Sequence, residues 1–377
     1  MNVKNNYNEC ITNLACSIRK YFELEYKHNT LEYVDKLLSE KNPKNVVVIL
    51  FDGMGSKILK RNLDNDAFFI KNMKREMTTV FPATTTAATT SMRTGLNPVE
   101  HGYLGWYTYI EPLGKTIKMF FGTNKEDGEY DVGFDEVRKK YFNYKDITQE
   151  INDVGNYKAV SLFPFGNNHY KDLDEMFDII ARECASDGKK YIYAYDEEPD
   201  YTMHDFGPDS VEANKLIKER NEKVEKLCKN LDDTIVFVIA DHGHIVVDNI
   251  LLDDYPDLMN MLERTPSLEE RAVSFKVKNG MHEKFANEFR KLFGEYFNLY
   301  TKDEVIANKL FGDGEENPLF ESAIGDFIAI AEDSNKALVT KDSSMLYSHH
   351  AGYSDDEVYI PLIIIDRTGC KKFSGAK

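Results

Sequence analysis

The sequence contains few cysteines, and it has neither a long hydrophobic run nor the apolar core of a signal peptide near its first residue. Its five cysteines are Cys10, Cys16, Cys184, Cys228 and Cys370. Their odd number and the lack of CxxC spacing argue against a disulfide framework and against a thiolate zinc site. No stretch approaches the length of a membrane span. Together these absences predict a cytoplasmic protein that does not enter the membrane.

Positive charge is also scarce, since 47 Lys and Arg stand against 64 Asp and Glu for a net charge of −17. Proteins that bind nucleic-acid duplexes present basic faces, so this balance argues against such a partner. The 42% of hydrophobic residues are enough for a globular core. Because 377 residues exceed the usual size of one core, we expect one large domain with an insertion.

Several short apolar runs predict strands that are buried on both faces, as in a parallel sheet. They span residues 45–53, 159–165, 191–200, 234–243 and 358–366. Helical patterns lie between them, including residues 210–231 with Ser210 as the N-cap. This alternation predicts an α/β fold with a mostly parallel central sheet flanked by helices. Ligands of such folds gather beyond the carboxyl ends of the strands.

One region departs from this alternation. Residues 266–334 show strand, helix and strand patterns that predict a small α+β insertion, which we expect to act as a cap over the site. The core is then formed by residues 1–265 and 335–377. A second stretch, residues 105–122, is rich in aromatic side chains. Ordinary packing explains these rings, and a wall that faces the substrate is the alternative.

Acidic residues and histidines stand at the ends of the predicted strands. Asp52 lies at the end of the first run, and Asp241 and His242 lie at the end of the run 234–243. His349 and His350 precede the last run. Asp200 and His204 are four residues apart, a spacing that puts both on one helical face. Taken singly, each has an ordinary surface interpretation. Together, these oxygen and imidazole groups suit zinc or manganese, and they are too many for one tetrahedral ion.

Two ions give this set a chemical purpose, because paired metals clamp the attacking and leaving oxygens of an in-line phosphoryl displacement. A hydroxyl-rich stretch supplies a possible nucleophile. Residues 81–96 contain six threonines and one serine. Such clusters usually cap helices and form turns. A hydroxyl coordinated to a metal is instead activated for attack without a histidine base.

The ordered set of motifs resembles the alkaline phosphatase superfamily, and more narrowly its type I phosphodiesterase/nucleotide pyrophosphatase branch. The motifs are Asp52 after its strand, FPATTT…TGLNPVEHG, PDYTMHDFGP, ADHG and HAG. The resemblance implies that Thr85, three positions after Pro82 and nine before Thr94, is the nucleophile. It leaves the other hydroxyls of the stretch to packing and helix capping. The ligands that it implies are Asp52, Thr85, Asp241 and His242 for one ion, and Asp200, His204 and His350 for the other.

The resemblance also marks departures and leaves two histidines unassigned. His350 is preferred to His349 because it stands immediately before a small residue. His244 and His101 match no ligand position and are expected to be structural or to support the metal ligands without binding the metal. Trp106 stands where nucleotide pyrophosphatases carry an asparagine that helps to hold a phosphate oxygen. We expect Trp106 and Thr86 to contact the substrate.

The function that this resemblance implies is hydrolysis of phosphate esters through a phosphothreonine, assisted by two divalent ions. Zinc is the expected metal and manganese the alternative. The expected substrate is a small phosphate ester such as a nucleotide, which a phosphodiesterase or nucleotide pyrophosphatase would cleave. The alternatives are a phosphomonoesterase, a phosphonatase similar to phosphonoacetate hydrolase, and a non-catalytic metal-binding protein on the same fold.

Overall fold

The structure is a computed structural model that describes residues 4–166 and 169–369. Cys370 lies outside the described residues. The other four cysteines are buried and free. No helix in the described part of the chain combines the length and apolarity needed to cross a bilayer.

The strands alternate with helices along most of the chain. In chain order the strands are β1 (Asn45–Phe51), β2 (Met73–Thr78), β3 (Tyr107–Ile110), β4 (Lys115–Lys118), β5 (Thr123–Asn124), β6 (Lys158–Leu162), β7 (Lys190–Asp196), β8 (Thr234–Ile239), β9 (Ile245–Val246), β10 (Asp248–Leu251), β11 (Ser267–Leu268), β12 (Ala272–Phe275), β13 (Asn298–Thr301), β14 (Phe327–Ile330), β15 (Lys336–Val339), β16 (Ser348–His349) and β17 (Tyr359–Asp366). The five strands predicted from apolar runs are thus confirmed as β1, β6, β7, β8 and β17.

The helices are, in the same order, α1 (Ile11–Tyr21), α2 (Glu32–Lys41), α3 (Ser56–Asn62), α4 (Phe68–Asn72), α5 (Thr85–Thr94), α6 (Pro98–His101), α7 (Phe134–Tyr141), α8 (Ile147–Val154), α9 (Leu173–Ala185), α10 (Asp200–Phe206), α11 (Val211–Lys229), α12 (Pro256–Met259), α13 (His282–Phe293), α14 (Lys302–Ala307), α15 (Phe320–Ile324) and α16 (Asp355–Val358). Short 3-10 helices cover Glu111–Leu113 and Leu252–Asp254. The Ser210 hydroxyl accepts a hydrogen bond from the Ala213 N–H, so the predicted N-cap of α11 is confirmed.

A six-stranded sheet with the order β2-β17-β8-β1-β7-β6 forms the centre of the fold. Strand β1 lies between β7 and β8 and pairs in parallel with both, and β6 pairs in parallel with β7. Every residue of β1, β7 and β8 is buried, as expected for strands covered on both faces. The predicted α/β fold with a central sheet flanked by helices is confirmed.

The last strand of this sheet runs against its neighbours. Strand β17 is antiparallel to both β8 and β2. Its first residue therefore lies at the edge where the parallel strands end. A segment that precedes β17 consequently reaches the same edge as segments that follow β1 and β8. This direction is what allows the late histidines to join residues from earlier strands.

A second, seven-stranded sheet has the order β13-β14-β12-β11-β3-β4-β5. The strands and helices predicted within residues 266–334 are present as β12, α13 and β14. However, β3 pairs with β11, so residues 107–124 supply three strands of the same sheet. The division of the chain at residues 265 and 335 stays a proposal, and any cap defined by this sheet includes the aromatic segment.

Candidate metal centre and nucleophile

The ends of β1 and β8 bring two carboxylates together. Asp52 directly follows β1, and Asp241 and His242 follow β8; all three are buried. Asp241 Oδ1 accepts hydrogen bonds from the N–H groups of Gly53 and His242, at 3.1 Å and 3.0 Å. Asp241 Oδ2 has no hydrogen-bond partner among the described residues. Burial of a carboxylate oxygen without a hydrogen-bond partner is unfavourable in free energy, so a bound cation is the natural partner for this atom.

Close backbone packing explains the glycine of the ADHG motif. A Cβ atom at Gly243 would lie 1.9 Å from the carbonyl oxygen of Asp356, a distance at which the two segments overlap. The Gly243 N–H also donates to the carbonyl of Glu357. Glycine therefore allows the segment after β8 to pack directly against α16. This close packing fixes the backbone next to His242 at the strand end.

Thr85 occupies the first position of α5, beside these carboxylates. Its Oγ1 lies 3.5 Å from Asp52 Oδ1 and 3.2 Å from His242 Nε2. The same His242 nitrogen lies 3.2 Å from Asp52 Oδ1 and 3.7 Å from Asp241 Oδ2. Four predicted residues of one ion site thus converge, and the hydroxyl lies at a helix N-terminus, where free N–H groups favour anions.

The remaining predicted ligands form a second cluster next to the first. Asp200 and His204 lie on α10, and His204 Nε2 is 3.3 Å from Asp200 Oδ2, as their spacing predicts. The His350 ring lies 5.4 Å from the His204 ring and stacks on that of His242 at 3.9 Å. His244, which matches no ligand position of the family motifs, places its Nε2 2.6 Å from Asp200 Oδ1.

Ligand atoms in both clusters are close enough to share cations. Those of Asp52, Asp200 and His242 all lie within 4.8 Å of one another. A second group with the same property contains Asp200, His204, His244 and His350. Asp200 belongs to both groups, so the clusters are adjacent. The oxygen and imidazole donors and the unpartnered oxygen of Asp241 fit divalent cations such as zinc or manganese.

The electrostatics of the cluster follow from burial and from close charges. Burial and the charge of Asp200 raise the pKa of Asp52 well above its ordinary value. Burial and the charge of Asp52 do the same to the pKa of Asp241. At Asp200, burial is outweighed by His204 and His244, which hold its pKa well below the ordinary value. Without cations, two of the three carboxylates are therefore disfavoured as anions.

Histidines outside the cluster have ordinary structural roles or lie at its border. His101 is buried, with Nε2 3.0 Å from the Ser91 hydroxyl and Nδ1 accepting from the Tyr103 N–H, so its expected structural role is confirmed. The His349 ring is 5.8 Å from that of His204, and its Nε2 has no partner among the described residues. His349 does not belong to either group of ligand atoms, whereas His350 does.

Two of the other hydroxyls in the threonine-rich stretch form hydrogen bonds within the helix itself. Thr89 Oγ1 donates to the carbonyl of Thr85 at 2.6 Å, and Thr94 Oγ1 donates to that of Thr90 at 2.7 Å. Both hydrogen bonds join residues one helical turn apart. For Thr89, this agrees with the expected role in the helix rather than in catalysis. The Thr86 hydroxyl is buried and has no partner within residues 4–166 and 169–369.

Trp106 lies at the border between the second sheet and the site. Its backbone N–H donates to Glu269 Oε1 at 2.6 Å, and the same oxygen accepts a hydrogen bond from the Thr84 hydroxyl at 2.6 Å. Glu269 thus links Trp106 to the residue that precedes Thr85. Burial, followed by the charge of Glu270, raises the pKa of Glu269 to about 8.

Three further residues contact this site; sequence reasoning missed Tyr195 and Glu269, and it predicted for His244 only a structural or supporting role. The Tyr195 hydroxyl donates to Asp52 Oδ2, Glu269 accepts from Thr84, and His244 contacts Asp200. The sequence contained a signal for His244, because it lies two residues after His242 in the DHGH motif. Tyr195 lies on β7 beside β1, and Glu269 follows β11. No local sequence pattern predicts the contact of Tyr195 with Asp52 or that of Glu269 with Thr84.

Comparisons with known proteins agree with this geometry. The sequence profile of the type I phosphodiesterase/nucleotide pyrophosphatase family matches residues 46–353. No curated protein matches the chain significantly. Among solved structures, murine ectonucleotide pyrophosphatase/phosphodiesterase 5, an inactive variant in complex with AMP, is similar at 20% identity and a TM-score of 0.61 over 84% of this chain and 87% of that one.

Two further structures share the fold. Human ectonucleotide pyrophosphatase/phosphodiesterase 5 is 18% identical, with a TM-score of 0.63 over 86% of this chain and 88% of that chain. Phosphonoacetate hydrolase from Sinorhizobium meliloti 1021, in complex with phosphonoacetate, is 16% identical, with a TM-score of 0.63 over 86% and 91%. The chain belongs to the type I phosphodiesterase/nucleotide pyrophosphatase family, within the alkaline phosphatase superfamily.

Proposed function

We propose that the chain hydrolyses phosphate esters through a phosphothreonine formed on Thr85, with two divalent ions bound by the clustered carboxylates and imidazoles. The position of the Thr85 hydroxyl carries this proposal. It lies at the first turn of α5, 3.2 Å from His242 Nε2 and 3.5 Å from Asp52 Oδ1. A threonine that served only to cap the helix would have no reason to face two candidate metal ligands.

The residues that would hold the ions divide as the family resemblance implies. One ion would take Asp52, Thr85, Asp241 and His242, and the other Asp200, His204 and His350. Bound there, zinc or manganese supplies a lowered hydroxyl pKa and neutralises charge on the phosphoryl group. Zinc suits the mixed oxygen and imidazole donors, and manganese is the alternative.

The proposed reaction has two displacement steps at phosphorus. Each step forms one oxygen–phosphorus bond and breaks another. Thr85 Oγ1 loses its proton and attacks phosphorus, while the ester oxygen on the opposite side departs and takes up a proton. Water then attacks the phosphothreonine, which releases the phosphoryl product and returns the proton to Thr85. The first N–H groups of α5, which have no partner inside the helix, are suited to hold a phosphoryl oxygen during both steps.

Thr86 and Trp106 are the proposed substrate contacts. Thr86 lies in the first turn of α5, next to the nucleophile, and its buried hydroxyl has no partner in the described part of the chain. The Trp106 backbone N–H and the Thr84 hydroxyl share Glu269 Oε1 as acceptor, which ties the Trp106 backbone to the residue before the nucleophile. The Phe120 and Phe121 rings lie 6.2 Å and 5.8 Å from that of Trp106, so an aromatic wall is available to a planar leaving group.

The substrate that we propose is a nucleotide diester or pyrophosphate. The murine protein with the same fold is in complex with AMP. The matching family is named for phosphodiesterase and nucleotide pyrophosphatase activity. Phosphonoacetate hydrolase shares the fold as well, so phosphonate cleavage is the alternative that the comparisons support. Trp106 stands where nucleotide pyrophosphatases carry an asparagine that helps to hold a phosphate oxygen. The preference between diesters and monoesters is therefore the quantity to measure.

The test combines trapping of the intermediate with a substrate panel. Zinc-loaded protein is quenched in acid during turnover of an aryl phosphodiester, digested and analysed by mass spectrometry. We expect a phosphoryl adduct on Thr85 and a metal content near two ions per chain. The same preparation is assayed against an aryl monoester, an aryl diester, a dinucleoside pyrophosphate and phosphonoacetate.

Each outcome bears on the proposal. Phosphate found on another residue, or turnover without any adduct while the metals are bound, overturns the role of Thr85. Faster cleavage of phosphonoacetate than of any ester assigns the site to phosphonatase chemistry. Tight binding of metal without turnover of any substrate in the panel favours the non-catalytic alternative.

A further inference from the structure

His244 is a buried histidine that the family resemblance leaves without a role. It lies three residues after Asp241, is 0% exposed at its side chain, and directs Nε2 at Asp200 Oδ1 over 2.6 Å. Its ring centroid is 4.6 Å from that of His204 and 5.2 Å from that of His350. The second cluster therefore contains three imidazoles around one carboxylate, not two.

Hydrogen bonds at Nδ1 orient these imidazoles. His204 Nδ1 donates to the carbonyl of Ser348 at 2.8 Å, and His350 Nδ1 donates to the carbonyl of Ala83 at 3.1 Å. His244 Nδ1 is hydrogen-bonded to the hydroxyl of the same Ser348. Each ring is thus held from outside at Nδ1, which leaves Nε2 facing the centre of the cluster. This arrangement is the usual way in which proteins hold a histidine that binds a metal.

We propose that His244 is a fourth side-chain ligand of the ion bound by Asp200, His204 and His350. The ligand atoms of all four residues lie within 4.8 Å of one another, so a single cation can reach each of them. This inference rests on the proposed two-ion function, and it adds a ligand that the family pattern does not assign.

The extra imidazole makes the two ion sites chemically different. The site at Asp52 and Asp241 offers two carboxylates and one imidazole, His242, besides the Thr85 hydroxyl. The site at Asp200 offers one carboxylate and three imidazoles. Nitrogen-rich sites favour zinc over manganese or magnesium. The Asp200 site therefore retains zinc more tightly and exchanges it last, and zinc still accepts a fifth ligand from the substrate.

A purely positioning role for His244 makes a different prediction. In that case Nε2–H only donates to Asp200, and a glutamine amide at the same position can replace the donor. His244→Gln would then restore metal binding that His244→Ala loses. As a ligand, His244 cannot be replaced by an amide, so both variants lose affinity at one ion and keep the other.

The experiment measures zinc retained during titration with a competing chelator, for the wild-type full chain and for the His244→Ala and His244→Gln variants. We expect one ion of each variant to bind more than about 10-fold more weakly than in the wild type, because loss of even a residue that only hydrogen-bonds a ligand typically costs about 10- to 100-fold in metal affinity. The matched control is His101→Gln, since His101 is also buried and also contacts a serine hydroxyl. That control should keep both wild-type affinities.

A second measurement needs no variant, so a folding failure does not leave the inference open. Cadmium NMR of the wild-type chain with nitrogen-labelled histidine counts the imidazoles coupled to each ion. Three coupled imidazoles at one ion support the inference, and two at most overturn it, as does wild-type retention of both ions by His244→Gln. A wild-type chain that binds no pair of ions fails the proposed function itself, which is a separate result.

Discussion

The two large sheets contribute to the site in different ways. The six-stranded sheet supplies the candidate ligands, because Asp52, Asp241 and His242 follow its parallel strands and His350 precedes its antiparallel one. The seven-stranded sheet supplies none of the residues in the two ligand groups. Its contribution is Trp106 beside β3 and Glu269 after β11, joined by a hydrogen bond of 2.6 Å.

This difference suggests a division between chemistry and substrate selection. Strand ends of a parallel sheet are rigid and converge, so they suit groups that must hold cations and a nucleophile at fixed distances. The second sheet reaches this place through Glu269, a carboxyl group of raised pKa that accepts hydrogen bonds from Thr84 and from the Trp106 backbone. Changes in the first sheet should therefore abolish turnover, and changes in the second should alter which substrate is preferred.

The largest effect is expected from Thr85→Ala, which removes the attacking oxygen. We expect kcat to fall at least about 1,000-fold, with close to two ions still bound, because three other ligands remain at that site. Steady-state kinetics and metal analysis of the same sample measure both. The control is Thr94→Ala, which removes a buried hydroxyl at the other end of α5. Wild-type turnover by Thr85→Ala would assign the nucleophile elsewhere.

Asp241→Asn comes next, because it puts an amide where the unpartnered Oδ2 now lies. We expect loss of one ion and a fall in activity of about 100-fold or more. Asp196→Asn is the matched control: Asp196 is also a buried carboxylate at a strand end, but Arg220 pairs with it at 2.6 Å. That variant should lose stability and keep its metals. An Asp241→Asn protein with two ions and full activity would refute the ligand assignment.

A smaller effect is expected at Trp106, on the second sheet's side of the comparison. Trp106→Ala should raise KM for aryl and nucleotide substrates about tenfold, with metal content unchanged, because a planar group loses a stacking surface. Tyr26→Ala, at another partly exposed aromatic residue, serves as the control. An unchanged KM together with a changed metal content would place Trp106 with the ligands instead of with substrate selection.

The smallest effect concerns Glu269 and pH. Its pKa of about 8 exceeds the ordinary value of 4.5, so the folded state holds this proton more tightly than the unfolded state. The resulting stability is complete below about pH 4.5 and is lost as pH rises to about 8. Glu269→Gln keeps an acceptor for Thr84 and Trp106 but removes this titration.

Urea unfolding between pH 5 and pH 9 measures the effect. The wild type should lose at least about 1 kcal/mol of unfolding free energy relative to Glu269→Gln over the rise to pH 8, with no further divergence above it. The exposed Glu263→Gln is the control and should follow the wild type. Parallel pH profiles for wild type and Glu269→Gln would show that Glu269 is ionised throughout.

Local patterns were enough for much of the fold and for most of the candidate site. Continuous apolar runs predicted β1, β7 and β8 because both faces of these strands are covered. The four-residue spacing of Asp200 and His204 predicted their contact, since both lie on α10. The family motifs then singled out Thr85 and His350 among similar neighbours. Catalytic roles and the cytoplasmic location stay predictions.

The sequence provided no answer where a feature depended on partners far along the chain. The apolar run of β17 carries no sign of its direction, which its antiparallel pairing with β8 decides. Residues 107–124 join the sheet formed by residues 267–330, although they lie far from it in sequence. His244 matches no ligand position of the family motifs and is predicted only to be structural or to support the ligands, and its ring lies in the second cluster.

The sequence by itself determined which residue types stand at the strand ends, because hydrophobic periodicity and motif spacing are local properties of the chain. Only the tertiary structure decided which of these groups meet. Contacts such as Glu269 with Trp106, 163 residues apart, arise from strand order and register. Those features depend on packing over the whole core, so no short stretch of sequence records them.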